Sequence, residues 1–274
     1  MTERSGKTQK AAKKKAAKKK TSKKKASKKA KSPGRIVALE VEPDRLRLLK
    51  RRLAQAIPEP QCEIDHQNAW QLLISTILSA QSTDKKVNEV APELYRLHPT
   101  PASLAEAPPG EIEALVKSTG FFRNKTKSIQ GASRRIVEDH GGEVPRTLEE
   151  LVELPGVARK TANVVLGVAF RIPTGIVVDT HAGRVARRLE LTAQTDPQKV
   201  EKELCALLPE NEWIDSGHRL VLHGRYVCLA RAPKCGECPL NEACPSREEE
   251  ATLPVGERAS REQRIVESRG ADAG

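Results

Sequence analysis

Two sets of residues in this chain of 274 have the types and spacing to do chemistry. The first is Cys228-x6-Cys235-x2-Cys238-x5-Cys244. Four thiolates this close can surround one small inorganic centre. Structural zinc sites usually show two separated C-x-x-C pairs. Here a single C-x2-C is flanked by unequal gaps, with Pro239 and Pro245 beside two of the thiols. That pattern suits an iron–sulfur cube somewhat better than zinc, and a disulfide pair least of the three. The loop between the first two cysteines holds Arg231 and Lys234, and a metal that ties it down would make a rigid phosphate-binding edge. Read blandly, the same loop is a solvated surface. Cys62 and Cys205 stand alone and read as buried small hydrophobes.

The second set is built on LPGVARKTANVV, Leu154 to Val165. Arg159 and Lys160 follow a Pro-Gly turn and open a run with apolar residues at helical spacing. A lysine at a helix start is electrostatically odd, because that end of the helix is already positive. The helix–hairpin–helix geometry of this stretch leaves backbone N–H groups at Gly156–Ala158 and the second helix start without partners. Such groups clamp phosphate without reading sequence and do not need the lysine to do so. Lys160 is then available as a nucleophile. The positive helix end, Arg159 beside it and partial burial would each disfavour its ammonium form. A plain phosphate contact fits the local sequence equally well. Asp179 follows the apolar GIVV and precedes a helix. It reads as an N-cap, and also as a carboxylate able to stabilise a sugar cation in a cleft.

The elements that must position these residues are helices. Leu46, Leu49, Leu53 and Ile57 make one stripe that Pro58 ends. Residues 67–80 are apolar almost all round, as in a buried helix. Helical patterns follow at 84–97, 109–119 and 124–140, with Gly141-Gly142 closing the last. Short helices flank the Pro-Gly turn. THAGRVARRLEL places Ala182, Val185, Ala186 and Leu189 on one face, and 197–208 and 215–229 complete the set. Only GIVV, 175–178, reads as extended. The fold class is all-α.

Residues 1–35 hold sixteen Lys/Arg and one acid, Glu3, so this segment alone exceeds the net charge of +12 and the remainder is slightly acidic. Its Lys/Ala units repeat every five residues and offer nothing apolar beyond alanine, which predicts a disordered polybasic tail. A polycation of this kind binds a polyanion in a salt-sensitive, sequence-blind way; a solubilising tail is the simpler alternative. The charged, turn-rich end, 251–274, reads as a second flexible tail. No run is apolar enough to span a bilayer and the start lacks an apolar leader segment, so a soluble intracellular protein is expected. Aromatic residues are 3% of the chain, which argues against a large base-stacking platform.

Taken together, LLISTILSAQSTDKKVN, STGFFRNKTKSI, HGGEVPRTLEELVELPGVARKTANVVLGVAF, VVDTHAGRVARRL and LHGRYVCLARAPKCGECPLNEAC resemble the endonuclease III family of helix–hairpin–helix DNA glycosylases. The match runs from about Asp44 to Ser246. The resemblance implies a two-lobed fold. A six-helix barrel would span 62–172, with the hairpin at about 147–170. An iron–sulfur lobe would combine 40–61 with 173–250. It also implies a [4Fe-4S] cluster on Cys228, Cys235, Cys238 and Cys244. In this family the cluster is not the hydrolytic catalyst and supports DNA binding.

The same resemblance puts Lys160 on the family's nucleophile and Asp179 on its catalytic aspartate. The implied activity is a bifunctional one: removal of oxidised pyrimidines, then cleavage 3′ to the abasic site by β-elimination through a lysine Schiff base. The implied partner is double-stranded DNA with damaged or abasic sites, bound by a monomer with no membrane role, cytoplasmic and nucleoid-associated if bacterial. Gln81 matches a gap-filling residue and Phe121 a wedge that is often leucine. Gly156, Ala158, Arg159, Arg231 and Lys234 are expected at the DNA, with His181 in a supporting part. The family hairpin usually reads G-V-G. Here Ala158 stands at the second glycine, and its methyl is expected to crowd the phosphate or strain the turn. Among alternatives, a monofunctional adenine-mismatch glycosylase would lack a lysine at position 160. A non-catalytic chromatin-like protein would need neither Lys160 nor Asp179, and a zinc-stabilised regulator would be colourless.

Overall fold

The computed structural model describes residues 41–247. The polybasic segment 1–35 and the segment 251–274 lie outside the described residues. Eleven α-helices form among the described residues, and no strand does.

The first apolar core is organised around α2 (Ala69–Leu78), whose Trp70, Leu72, Leu73, Ile74, Ile77 and Leu78 are all buried. A helix apolar on every side has no stable place except the centre of such a core. Around it stand α3 (Asp84–Leu97), α4 (Pro101–Glu106), α5 (Pro109–Val116), α6 (Phe122–His140), α7 (Leu148–Val152) and α8 (Arg159–Phe170). Two large polar side chains taken inside find partners. Trp70 Nε1 donates to Ser133 Oγ at 3.2 Å, and the Tyr95 hydroxyl donates to the Gln71 carbonyl at 2.8 Å. The short helix α4, opened by a Thr100–Ser103 capping box, carries no amphipathic pattern long enough to be read in advance.

The second core gathers α9 (Thr180–Arg188), α10 (Pro197–Leu207) and α11 (Trp213–Tyr226). It also takes in α1 (Pro43–Ala56), whose Leu49 and Leu53 are buried there. Arg45 Nη1 donates to the Leu189 carbonyl at 2.8 Å and Arg219 Nε to the Ile57 carbonyl at 2.9 Å, pinning α1 at both ends.

The extended segment 175–178 is the seam. Ile176 and Val178 are buried in the second core, while Val177 packs against the first. Alternate residues of an extended chain point to opposite sides, so three successive side chains serve both cores. That alternation delivers Asp179 to the boundary between them.

Candidate active site and cluster loop

The hairpin is built from local rules. Thr147 caps α7 by accepting the Glu150 N–H. Leu151, Leu154 and Val157 are buried and anchor the turn to the first core. Gly156 has φ of 79°, and a Cβ there would lie 2.6 Å from the Ser128 Cβ, so glycine is required both by conformation and by space. Ala158 differs. It is the N-cap of α8 with φ −91° and ψ 165°, ordinary extended backbone. The expected strain at this position is absent, because the second hairpin position does not use the left-handed region. No side chain caps α8, which leaves its first-turn N–H groups for a ligand.

Lys160 is the second residue of α8, and Asp179 is the N-cap of α9. Both line one cleft of about 360 Å³. Asp179 is half-buried. Its Oδ1 accepts the Ala182 N–H at 2.8 Å, so the cap uses one oxygen and leaves Oδ2. The capping and cleft-facing parts expected of this residue are therefore compatible. Lys160 is exposed, so the burial expected from the sequence is absent in the protein alone. Arg159 also departs from expectation. Its guanidinium meets Glu201 in a forked pair, Nη2 to Oε1 at 3.0 Å and Nε to both oxygens at 3.2 Å. The Glu201 hydrogen bonds hold its pKa above the ordinary arginine value. Its charge is matched by that carboxylate instead of bearing on Lys160 unopposed, and its fork is committed within the protein.

The remaining sequence candidates divide by place. Gln81 and Ala158 line the same cleft as the lysine and aspartate, and His181 lines the groove beside it. Burial, followed by Arg184 and Arg225, holds the His181 imidazole below its ordinary value against the opposing pull of Asp179. Phe121 is 65% exposed with φ of 45°, and Gln81 has φ of 53°. Two non-glycine residues in the left-handed region are costly, and such strain gathers at working sites. Phe121, Gly156, Arg231 and Lys234 lie outside the cleft lining, and Arg231 and Lys234 are exposed on the cysteine loop. Sequence reading missed Glu63, Asp84 and Arg225 at the cleft and Glu201 at the groove beside it. None has a local signal, because their partners are distant in the chain.

The four clustered cysteines wall one pocket, and Cys228, Cys238 and Cys244 pack against the second core. Among the described residues no three His, Cys, Asp or Glu side chains converge as ligands of a single ion. Burial pushes the Cys238 thiol up to about 11, a cost that a bound cationic centre offsets by favouring thiolate. The surroundings supply donors to sulfur. Buried Arg188 donates through Nη1 to Cys228 Sγ at 3.3 Å and to the Leu229 carbonyl at 2.6 Å. His223 Nε2 lies 3.6 Å from Cys238 Sγ. The donor set and its surroundings fit an iron–sulfur cube.

Comparison with known proteins shows the family. Residues 74–210 match the HhH-GPD superfamily of base excision DNA repair proteins. Residues 228–244 match the iron–sulfur binding domain of endonuclease III. The endonuclease III of Synechocystis sp. is 53% identical over 194 residues, covering 71% of this chain and 89% of the relative. That of Escherichia coli K12 is 40% identical over 204 residues, covering 74% and 96%. A solved non-covalent endonuclease III–DNA complex aligns with a TM-score of 0.74 at 39% identity, covering 78% of this chain and all of that one. A trapped endonuclease III–DNA covalent intermediate aligns at 0.73 and 40% identity, covering 76% and 98%. The chain belongs to the endonuclease III family and is a base excision repair enzyme, a DNA glycosylase with abasic-site lyase activity, acting on DNA and holding a [4Fe-4S] cluster.

Proposed function

We propose that Lys160 and Asp179 are the reacting pair and that the lesion is an oxidised pyrimidine in duplex DNA. The observation behind this is that the starts of α8 and α9 present both side chains to one cleft, with Asp179 Oδ2 unused by its cap. The damaged nucleotide is flipped from the duplex into that cleft. The Lys160 amine, once neutral, attacks C1′ of the sugar. The C1′–N bond to the base breaks, and the base leaves with the electron pair and takes up a proton. Asp179 offsets the positive charge that develops on the sugar. The sugar ring opens to a Schiff base on Nζ. Loss of a C2′ proton then expels the 3′ phosphate by β-elimination, and hydrolysis of the imine frees the lysine.

Gln81 fills the gap left in the duplex and Phe121 wedges the stack, in keeping with their exposure and strained backbone. Gly156, Ala158 and the open start of α8 hold a phosphate. Arg231 and Lys234 meet the backbone further along, and His181 supports the start of α9. Cys228, Cys235, Cys238 and Cys244 hold the cluster, which stiffens the loop bearing those two cations. The segments 62–172 and 40–61 with 173–250 are the barrel and iron–sulfur lobes, and residues 1–35 tether the monomer to DNA and place it at the nucleoid.

Borohydride reduction during reaction with a thymine glycol duplex tests the reading. A covalent protein–DNA adduct is expected, and it disappears in Lys160→Ala. Base release without any adduct would reduce Lys160 to a phosphate contact. Neither product from brown, folded protein would point to another lesion or to non-catalytic DNA binding.

A further inference from the structure

Two ion-pair clasps of opposite polarity join the two cores. In one, Arg159 of α8 reaches from the first core to Glu201 of α10 at the second. Glu201 also accepts from Asn163 Nδ2 at 3.0 Å and is held close to backbone, since a Cβ on Gly175 would lie 2.1 Å from its Oε1. In the other, Arg225 of α11 reaches from the second core to Glu63 and Asp84 of the first, donating through Nη1 to both. Tyr226, next along α11, donates its hydroxyl to the same Glu63. Arg159, Lys160, Asp179, Asp84, Glu201 and Arg225 all line one groove.

We propose that Glu201 and Arg225 are positioning residues, and that the two clasps together set the register of Lys160 against Asp179. Each clasp acts on one reacting residue. Arg159 precedes Lys160 directly, so its grip on Glu201 ties the start of α8 to the second core. Arg225 follows Gly224, and Gly224 lies against the start of α9, where a Cβ would come 2.9 Å from the His181 Cβ and 3.0 Å from its carbonyl oxygen. Holding α11 to Glu63 and Asp84 therefore holds α9, and with it Asp179, to the first core. Isolated surface ion pairs contribute little. These pairs are forked or shared, and one carboxylate of each is shielded, Glu201 at 11% and Asp84 at 18% side-chain exposure, against 43% for Arg159 and 27% for Arg225. Apolar residues would close the same seam with less desolvation cost but without fixing a register.

The inference rests on Lys160 and Asp179 being the reacting pair, and Lys160→Ala, trapped in parallel, tests that separately. An adduct surviving in Lys160→Ala would defeat that reading whatever the clasps do. For the clasps, Glu201→Gln, Arg225→Ala and Arg225→Lys are compared with the parent holoenzyme. Three quantities are read: single-turnover strand cleavage at saturating enzyme, affinity for a tetrahydrofuran abasic duplex, and visible cluster absorbance. A slip of about 1 Å at the reacting atoms costs about 10²-fold in rate, so Glu201→Gln and Arg225→Ala are expected to slow cleavage about that much. Affinity should stay within about threefold, because phosphate contacts made elsewhere supply most of it. Arg225→Lys, keeping the charge, should recover at least about tenfold of the loss. Cleavage at the parental rate in folded Glu201→Gln or Arg225→Ala overturns the proposal. So does a rate loss matched by an equal affinity loss, which would make these residues DNA contacts. Should Arg225→Ala fail to fold, parental rates in both Arg225→Lys and Glu201→Gln overturn it.

Discussion

Asp179 caps the helix that begins beside it: its Oδ1 accepts the Ala182 N–H at 2.8 Å while the residue lines the cleft it shares with Lys160. The two duties separate by substitution. Asn is as good an N-cap as Asp, so Asp179→Asn should melt close to the parent. It should nevertheless slow single-turnover base release by at least about 10²-fold, since the charge facing the sugar is gone. Asp179→Ala should lose the rate and also about 1 kcal/mol of stability. Thermal melts beside kinetics decide. An active Asp179→Asn would leave the residue as a cap alone.

The two hairpin positions should respond in opposite ways. Gly156→Ala forces a side chain into a left-handed backbone and onto Ser128, and should cost about 1–3 kcal/mol. Ala158→Gly touches a residue at φ −91° and should change stability by less than about 0.5 kcal/mol. Denaturant melts of both variants test this, and a large effect at 158 would mean that its methyl is packed in a way the backbone does not reveal.

Removal of a cluster ligand should act on the second core and on colour together. Cys238 packs against that core while walling the cysteine pocket. Cys238→Ser is expected to lose the brown absorbance, lower the melting temperature and weaken DNA binding through the disordered Arg231–Lys234 edge. Full colour in the variant would remove Cys238 from the ligand set.

Two histidines predict acid sensitivity: His181 at the groove and His218, which lines the cleft with Lys160. Burial is the main cause holding His181 and His218 below the ordinary 6.5. A depressed folded value means that the unfolded chain binds the proton first. Their contribution to stability is therefore complete above about pH 6.5 and is lost as pH falls through the folded values. Melting temperature should decline below about pH 6.5, and His218→Gln should flatten that decline. An unchanged slope in the variant would assign the sensitivity elsewhere.

Deleting residues 1–34 should weaken non-specific DNA binding and flatten its salt dependence, with cleavage at saturating enzyme unaffected. Affinity measured across a salt series tests it, and an unchanged slope would leave the segment as a solubilising tail.

The sequence by itself determined most of the helices, though not α4, together with the hairpin and the cysteine loop. These are written in short-range patterns: the apolar faces of 46–57 and 182–189, the Pro155-Gly156 turn and the spacing of four cysteines. It also marked Lys160 and Asp179 as odd or doubly apt where they stand. Only the tertiary structure decided what surrounds them. Arg159 looked like a neighbour of Lys160 and proves to be the partner of Glu201, 42 residues away. Arg225 finds Glu63 and Asp84 across 162 and 141 residues. Ala158 proved unstrained, and Lys160 exposed, because φ at a turn and the depth of a side chain depend on which elements close over it. Periodicity records which face of an element is buried. It holds no record of which distant element buries it, and the partners of a charged side chain are set by that second fact.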